Sequence, residues 1–278
     1  MKKILCPIDF SENSIEAARF AIRFTQLAGS RLKFFYVSSV VVPAGGDVEV
    51  PAQQLRLRKE ELEEQINRLY QEMGIDRNGQ NVSCETLDYV SITHGIANEA
   101  GKYAADLIIM GTTGASGLKR FLIGSVTTSV IDLVSCPVLA VPSDFGEGVI
   151  KRVGMATEIT NVHKEIVDAV TFARIYNADL ELFHVGMHSQ EGETLAQELR
   201  GMTSYDKITF VETPQKYEGD VIGGLNAYVE QRSPDVLVMH HVQRNWFERL
   251  ITGSRTKDML FHSNAAILTF NHEKEKAL

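Results

Sequence analysis

The feature that most constrains the fold of this chain is an internal repeat. The apolar segment Asp106–Met110 is matched by Asp235–Met239, and Gly124 is matched by Gly253, both at an offset of 129 residues. An offset that stays constant between separate segments indicates a tandem duplication, because self-similarity at a fixed period is the signature of repeated structural units. The chain is therefore expected to contain two copies of one domain.

The two domains are predicted at residues 1–144 and 148–278. The segment between Ser143 and Gly148 contains glycine and acidic residues, which is typical of a short linker. At 278 residues the chain is long enough for two domains of ordinary size, and its 44% hydrophobic residues provide a core for each.

Short apolar runs alternate with helical patterns along each copy. In the first copy, strands are predicted at 2–8, 32–37, 82–87, 106–110 and 138–141, and helices at 15–27, 51–73, 92–103 and 125–134. Strands that alternate with helices predict an α/β fold with a parallel sheet, since parallel neighbours require a crossover connection.

Charge and composition argue against several classes of protein. The formal net charge is −8 and neither half has an excess of basic residues, so no nucleic-acid partner is expected. No apolar run approaches the roughly 20 residues of a membrane span, and Pro7 and Asp9 interrupt the first apolar run before it could act as an export signal. The three cysteines form no CxxC pair, which predicts reduced thiols and a cytoplasmic location.

The segment from Gly111 to Ser125 is the candidate ligand-binding loop, because it follows a buried strand and ends where a helix begins. Glycines let backbone amides approach a ligand, and a helix N-terminus favours a phosphate. Neither G-x-G-x-x-G nor G-x-x-x-x-G-K-[ST] occurs in the chain. Residue chemistry alone leaves two interpretations open, a phosphate site or an ordinary glycine-rich connection.

The spacing Gly111-x2-Gly114-x9-Gly124-Ser125 resembles the G-2x-G-9x-G-[ST] nucleotide-binding motif of the universal stress protein family. The segment from residue 4 to residue 11 also looks like that family's first strand and turn. The resemblance covers residues 1–142 and extends more weakly over 150–270.

The resemblance implies a tandem universal stress protein built from two Rossmann-like domains of the adenine nucleotide alpha hydrolase type. Each would be a five-stranded parallel sheet flanked by helices. The two would pack as an intramolecular pseudo-dimer through the terminal strands Val138–Val141 and Ile267–Phe270, and two chains could associate further as a homodimer.

The resemblance also implies that the first domain binds ATP, AMP or a related adenine nucleotide, with Mg²⁺ as a companion of the nucleotide. Asp9 would lie at the adenine and ribose end, and Val37 would offer backbone hydrogen bonds to the adenine edge. The ribose and phosphates would be held by Gly111, Gly114, Gly124, Ser125, Val126 and Thr127. Two simpler alternatives remain: Asp9 as a helix N-cap or turn residue, and Val37 as part of the core.

The second copy lacks most of the motif. The first two glycines are replaced by His240 and Gln243, and Glu158 stands in place of Asp9. Side chains at these positions would fill the volume that a ribose or triphosphate needs, so the second domain is predicted not to bind ATP in the family manner. His240 and His241 are adjacent, and on a strand they would point to opposite faces, so no metal site is assigned.

These features favour a nucleotide-binding regulatory or sensor protein of the stress response, and not an enzyme. A slow ATPase or phosphotransferase is the first alternative, but it would need a positioned base and a metal-holding carboxylate. The loop contains neither Asp nor Glu, so no catalytic residue is assigned. The second alternative is a scaffold that does not depend on nucleotide.

Overall fold

The structure is a computed structural model that describes residues 1–39, 52–78, 81–112, 124–146, 148–157, 161–185, 189–213, 221–240 and 265–271. The chain divides into two compact units, the first ending at Ser143 and the second continuing from Asp144. Within these ranges, no helix has both the length and the apolar character needed to cross a membrane.

The first unit alternates strands with helices. Its strands are β1 (Lys3–Pro7), β2 (Arg31–Ser39), β3 (Val82–Tyr89), β4 (Leu107–Gly111) and β5 (Val138–Val141). Its helices are α1 (Glu12–Ala28), α2 (Ala52–Glu72), α3 (Ile92–Tyr103) and α4 (Ser125–Leu133). The strands are parallel and lie in the order β3-β2-β1-β4-β5. The predicted α/β alternation is confirmed.

The second unit repeats this plan. Its strands are β6 (Arg152–Ala156), β7 (Asp179–His184), β8 (Ile208–Glu212), β9 (Val236–His240) and β10 (Ala266–Phe270). Its described helices are α5 (Val162–Tyr176), α6 (Ser189–Thr203) and α7 (Val221–Arg232). The parallel order β8-β7-β6-β9-β10 matches that of the first unit strand for strand.

Strands β4 and β5 are apolar along their whole length, as is typical of parallel strands whose two faces are covered by helices. Every residue of β5 and of β9 is buried. Continuous apolar runs of this kind gave the clearest strand predictions. The sequence also predicts the ends of β5 and of α3 as the structure has them.

An aspartate just before the fourth strand makes the same contact in each unit. Asp106 Oδ2 accepts hydrogen bonds from two backbone N–H groups at the start of β1, at 2.6 and 3.0 Å. Asp235 Oδ2 accepts the corresponding pair at the start of β6, at 2.7 and 2.8 Å. The duplication therefore extends to individual hydrogen bonds that fasten the first strand to the fourth.

Candidate functional site

A pocket in the first unit lies at the carboxyl ends of β1, β2 and β4. In the sheet, β2 lies on one side of β1 and β4 lies on the other side. The connections that follow β1 and β4 therefore diverge, and a crevice opens between them. This reversal of strand order is where open α/β sheets bind their ligands.

The structure brings most of the predicted site residues to this pocket. Five of the predicted residues are part of its lining, namely Asp9, Val37, Gly111, Val126 and Thr127. Gly124 and Ser125 lie at the N-terminus of α4, the helix that contributes Val126 and Thr127. Gly114 lies outside the described residues.

Asp9 is an exposed residue in the turn between β1 and α1. Its Oδ1 accepts a hydrogen bond from the Ser11 N–H at 3.0 Å, and its own N–H donates to Ser14 Oγ at 3.3 Å. The N-cap of α1 is Ser11, whose side chain accepts from the Ser14 N–H. Ser11 and not Asp9 therefore caps the helix, and Asp9 lies in the turn before it.

Val37 lies in the part of β2 that extends beyond the end of β1. β1 pairs with β2 as far as Pro7 opposite Phe35, whereas β2 continues along β3 to its own end. Phe35 O accepts from the Ile8 N–H at 3.0 Å, so the backbone groups of Phe35 face β1. Alternate residues of a strand direct these groups to the same edge. The N–H and C=O of Val37 therefore face the pocket just beyond the end of β1.

Gly111 ends β4 where this strand meets the first turn of α1. A Cβ at this position would lie 2.9 Å from the backbone carbonyl of Asn13 and 3.0 Å from Asn13 Cβ. A Cβ at this position would force β4 or the first turn of α1 to shift, so the packing of β4 against α1 favours glycine here. The sequence predicted a different reason, the approach of a backbone amide to a ligand.

The N-terminus of α4 is fixed to the end of β4, and its N-cap residue makes no side-chain cap. Thr127 Oγ1 donates to Gly111 O at 2.9 Å, and the Gly124 N–H donates to Thr112 O. Gly124 is the N-cap and offers no side chain to the first-turn amides, in contrast to Ser11 on α1. These amides have no partner within a helix and carry positive partial charge. They are therefore suited to an anion.

The wall formed by α3 is apolar. Ile92 and Ile96 line the pocket, and α3 comes close to β2 at Gly95, where a Cβ would lie 3.0 Å from Val37 Cγ1. The pocket thus combines an apolar wall, a backbone edge that can form hydrogen bonds and an anion-binding helix end. Small-molecule sites typically pair apolar walls with a few placed polar groups in this way.

The part of the pocket that the structure describes has few titratable or nucleophilic side chains. Asp9 is the sole titratable side chain among the described residues that line it. Cys6, which precedes Pro7 in β1, is fully buried, and burial raises the pKa of its thiol, so the nucleophilic thiolate is disfavoured.

In the second unit, His240 ends β9 as Gly111 ends β4. Its imidazole is buried and stacks on Phe270, with ring centroids 5.3 Å apart, and its Nδ1 lies 3.6 Å from Glu165 Oε2. The sequence predicted that this side chain would fill the ligand volume. The structure corrects that expectation, since the ring packs inside the unit against α5 and β10.

The other substitutions that distinguish the second copy lie outside the described residues. These substitutions are Glu158 and Gln243. The retained Gly253 and Ser254 and the neighbouring His241 also lie outside the described residues. The predicted loss of ATP binding in this copy therefore stays a prediction.

Comparison with known proteins places the first half in one family. Residues 1–142 match the universal stress protein family. The chain is 36% identical over 144 residues to universal stress protein MJ0531 of Methanocaldococcus jannaschii, which covers 50% of this chain and 81% of that protein. It is 30% identical over 145 residues to universal stress protein YxiE of Bacillus subtilis, which covers 50% of this chain and 97% of that protein.

Structural comparison extends the likeness of fold to both halves. A universal stress protein from Archaeoglobus fulgidus covers 97% of this chain, and this chain covers 98% of it, with a TM-score of 0.68 at 16% identity. At that identity the likeness concerns the fold alone. Because the family match takes in half of the sequence, the chain belongs to the universal stress protein family.

Proposed function

We propose that the first unit binds ATP or a related adenine nucleotide such as AMP, and that the protein acts as a regulatory sensor in the stress response. The observation that carries this proposal is the pocket at the reversal of strand order, which combines a backbone edge, a carboxylate and an uncapped helix end. Membership of the universal stress protein family and the glycine spacing at residues 111–125 give further support.

Each part of the nucleotide has a counterpart in the pocket. The adenine edge would exchange hydrogen bonds with the N–H and C=O of Val37, while its face would pack on Ile92 and Ile96. The Asp9 carboxylate would accept hydrogen bonds from the ribose hydroxyls. The phosphates would accept from the first-turn amides of α4, where the helix dipole also favours negative charge.

Binding without turnover is the better-supported form of this function. Phosphoryl transfer relies on a positioned base and on metal ions held near the phosphates. Asp9 is the one carboxylate among the described residues of the pocket, and we assign it to the ribose. Mg²⁺ would enter with the triphosphate and would be held chiefly by phosphate oxygens.

The second unit is proposed not to bind ATP in this way. The glycine spacing of the loop is interrupted at Gln243, and Glu158 stands in place of Asp9. The domain limits at 1–144 and 148–278, the cytoplasmic location and the association of chains stay predictions.

The first test is to denature freshly purified protein and quantify any released nucleotide against protein concentration, with ATP titrated calorimetrically into nucleotide-free protein. We expect about one adenine nucleotide per chain, because one unit keeps the site. Two per chain would contradict the asymmetry between the units. No released nucleotide and no binding of ATP or AMP would favour the scaffold. A time course of ADP formation would separate binding from slow hydrolysis.

A matched pair of substitutions locates the site. Gly124→Glu places a carboxylate at the N-terminus of α4 and should abolish ATP binding through repulsion of the phosphates, whereas adenosine should still bind. Gly253→Glu, at the equivalent sequence position of the second copy, should leave ATP binding unchanged. Equal loss of ATP binding in both variants would contradict the proposed location.

A further inference from the structure

Phe10 has a backbone conformation that glycine adopts more readily than any residue with a side chain. Its φ is +61°, in the left-handed region, which costs energy for any residue with a Cβ and is a genuine outlier for a bulky one. The other described non-glycine residues with positive φ are Ala104, Asn177, Ser204 and Ser233. Each of these follows the last residue of a helix, where a left-handed residue is common.

Phe10 instead lies between a strand and the start of a helix, so helix termination does not explain its conformation. Strain of this kind persists only where the surroundings hold it in place. The ring of Phe10 packs against the ring of Tyr36, with centroids 5.9 Å apart and an interplanar angle of 31°. Tyr36 belongs to β2 and immediately precedes Val37, so this contact ties the turn after β1 to the strand that forms the backbone edge of the pocket.

The residues on either side of Phe10 have different structural roles. Asp9 lines the pocket, and Ser11 caps α1. The hydrogen bond from the Ser11 N–H to Asp9 Oδ1 spans Phe10, and a second one joins the Asp9 N–H to Ser14 Oγ. The left-handed step at Phe10 thus reverses the chain tightly enough for one turn to serve both the pocket and the helix.

We propose that Phe10 is a positioning residue of the nucleotide site. Its ring, held by Tyr36, keeps the strained turn in the conformation that places Asp9 at the pocket. The inference rests on the function proposed above for the same pocket.

A glycine would adopt φ near +61° without strain, but it would also adopt many other conformations. The anchored phenylalanine restricts the turn before the ligand arrives, and such pre-organisation reduces the cost of binding. The proposal therefore predicts that removal of the strain weakens binding, although it relaxes the backbone.

The test measures the dissociation constants for ATP and adenosine, together with thermal unfolding, for the full chain with Phe10→Gly, Phe10→Ala or Phe10→Tyr. Both constants should rise about tenfold for Phe10→Gly, as expected if the competent turn falls to about a tenth of the population. Phe10→Ala loses the same ring but keeps the strain. Phe10→Gly should therefore unfold about 2–4 °C above Phe10→Ala. Phe10→Tyr keeps the ring and should bind like the unsubstituted chain.

Ala104→Gly is the matched control, because it relieves the same backbone strain at the end of α3 and should leave both constants unchanged. Unchanged affinity in Phe10→Gly would overturn the positioning role alone. An equal loss of affinity in Ala104→Gly would also overturn it, because the effect would then not be local. If the unsubstituted chain bound neither adenosine nor ATP, the proposed function would fail, and the role of Phe10 with it.

Discussion

The backbone of Gly111 passes so close to Asn13 that this contact limits which residues the position can accept. Gly111→Ala should lower the free energy of unfolding by about 1–3 kcal/mol, because either β4 or the first turn of α1 has to move. Chemical denaturation with a spectroscopic readout measures the change.

The control for this substitution is Gly101, which lies on the exposed side of α3. A Cβ there would meet nothing within 4 Å. Gly101→Ala should therefore raise the free energy of unfolding by about 0.5–1 kcal/mol, since alanine is the better helix former. If both variants were stabilised, the close contact at Gly111 would not be the constraint on that position.

The residue scale is also where the sequence was least informative. The glycine motif identifies Gly111 correctly as a special position, but its spacing carries no information about the contact with Asn13. The conformation of Phe10 is equally hidden, because it depends on Tyr36, which lies on another strand. Long-range packing of this kind cannot be derived from local pattern.

The residue that follows the last residue of helix α3 is poorly suited to its backbone conformation. Ala104 has a φ of +51° and donates its N–H to the last turn of the helix. Ala104→Gly should raise the free energy of unfolding by about 1 kcal/mol, because glycine adopts this conformation without a steric penalty. Lys102→Gly, inside the same helix, should lower it by about 1 kcal/mol. A destabilised Ala104→Gly variant would contradict the assigned conformation.

Elements were predicted well where apolar runs and helical spacing are clear in the sequence. Strand β5 and helix α3 follow directly from apolar runs and helical spacing in the sequence. The order of the strands explains why Asp9, Val37 and Gly111 meet at one pocket, but the pairing of β1 with both β2 and β4 is a property of the folded sheet. The predicted role of Gly114 stays a prediction, since it lies outside the described residues.

At the scale of the whole molecule, the two units share one strand order but differ in the sign of the charge at a buried position of their second strand. In the first unit, Lys33 on β2 lies 2.7 Å from Glu99 on α3. In the second unit, Glu181 on β7 accepts hydrogen bonds from Tyr228 and Arg232 on α7. By the 129-residue offset, Tyr228 corresponds to Glu99. Elements exchanged between the copies would place like charges, or a charge without a partner, in a buried site, which is costly.

If the first unit alone binds nucleotide, the nucleotide should protect backbone amides from hydrogen exchange in the first unit and not in the second. ATP at a hundred times its dissociation constant should stabilise the first unit by about 2.7 kcal/mol, because it binds the folded form only. Hydrogen exchange measured by mass spectrometry should then slow in peptides that cover β1 and β4, and stay unchanged in peptides that cover β6 and β9. Equal slowing in both units would contradict a single site.

The aspartates that fasten the first strand to the fourth also bear on how the chain folds during synthesis. Asp106 is separated from Lys2, whose N–H it holds, by 104 residues, and Asp235 is separated from Lys151 by 84. Neither unit can place its fourth strand against its first until that length of chain has left the ribosome. Contacts so distant in sequence slow folding and leave strand edges open in the meantime. The nascent first unit should therefore depend on chaperones until Asp106 has emerged.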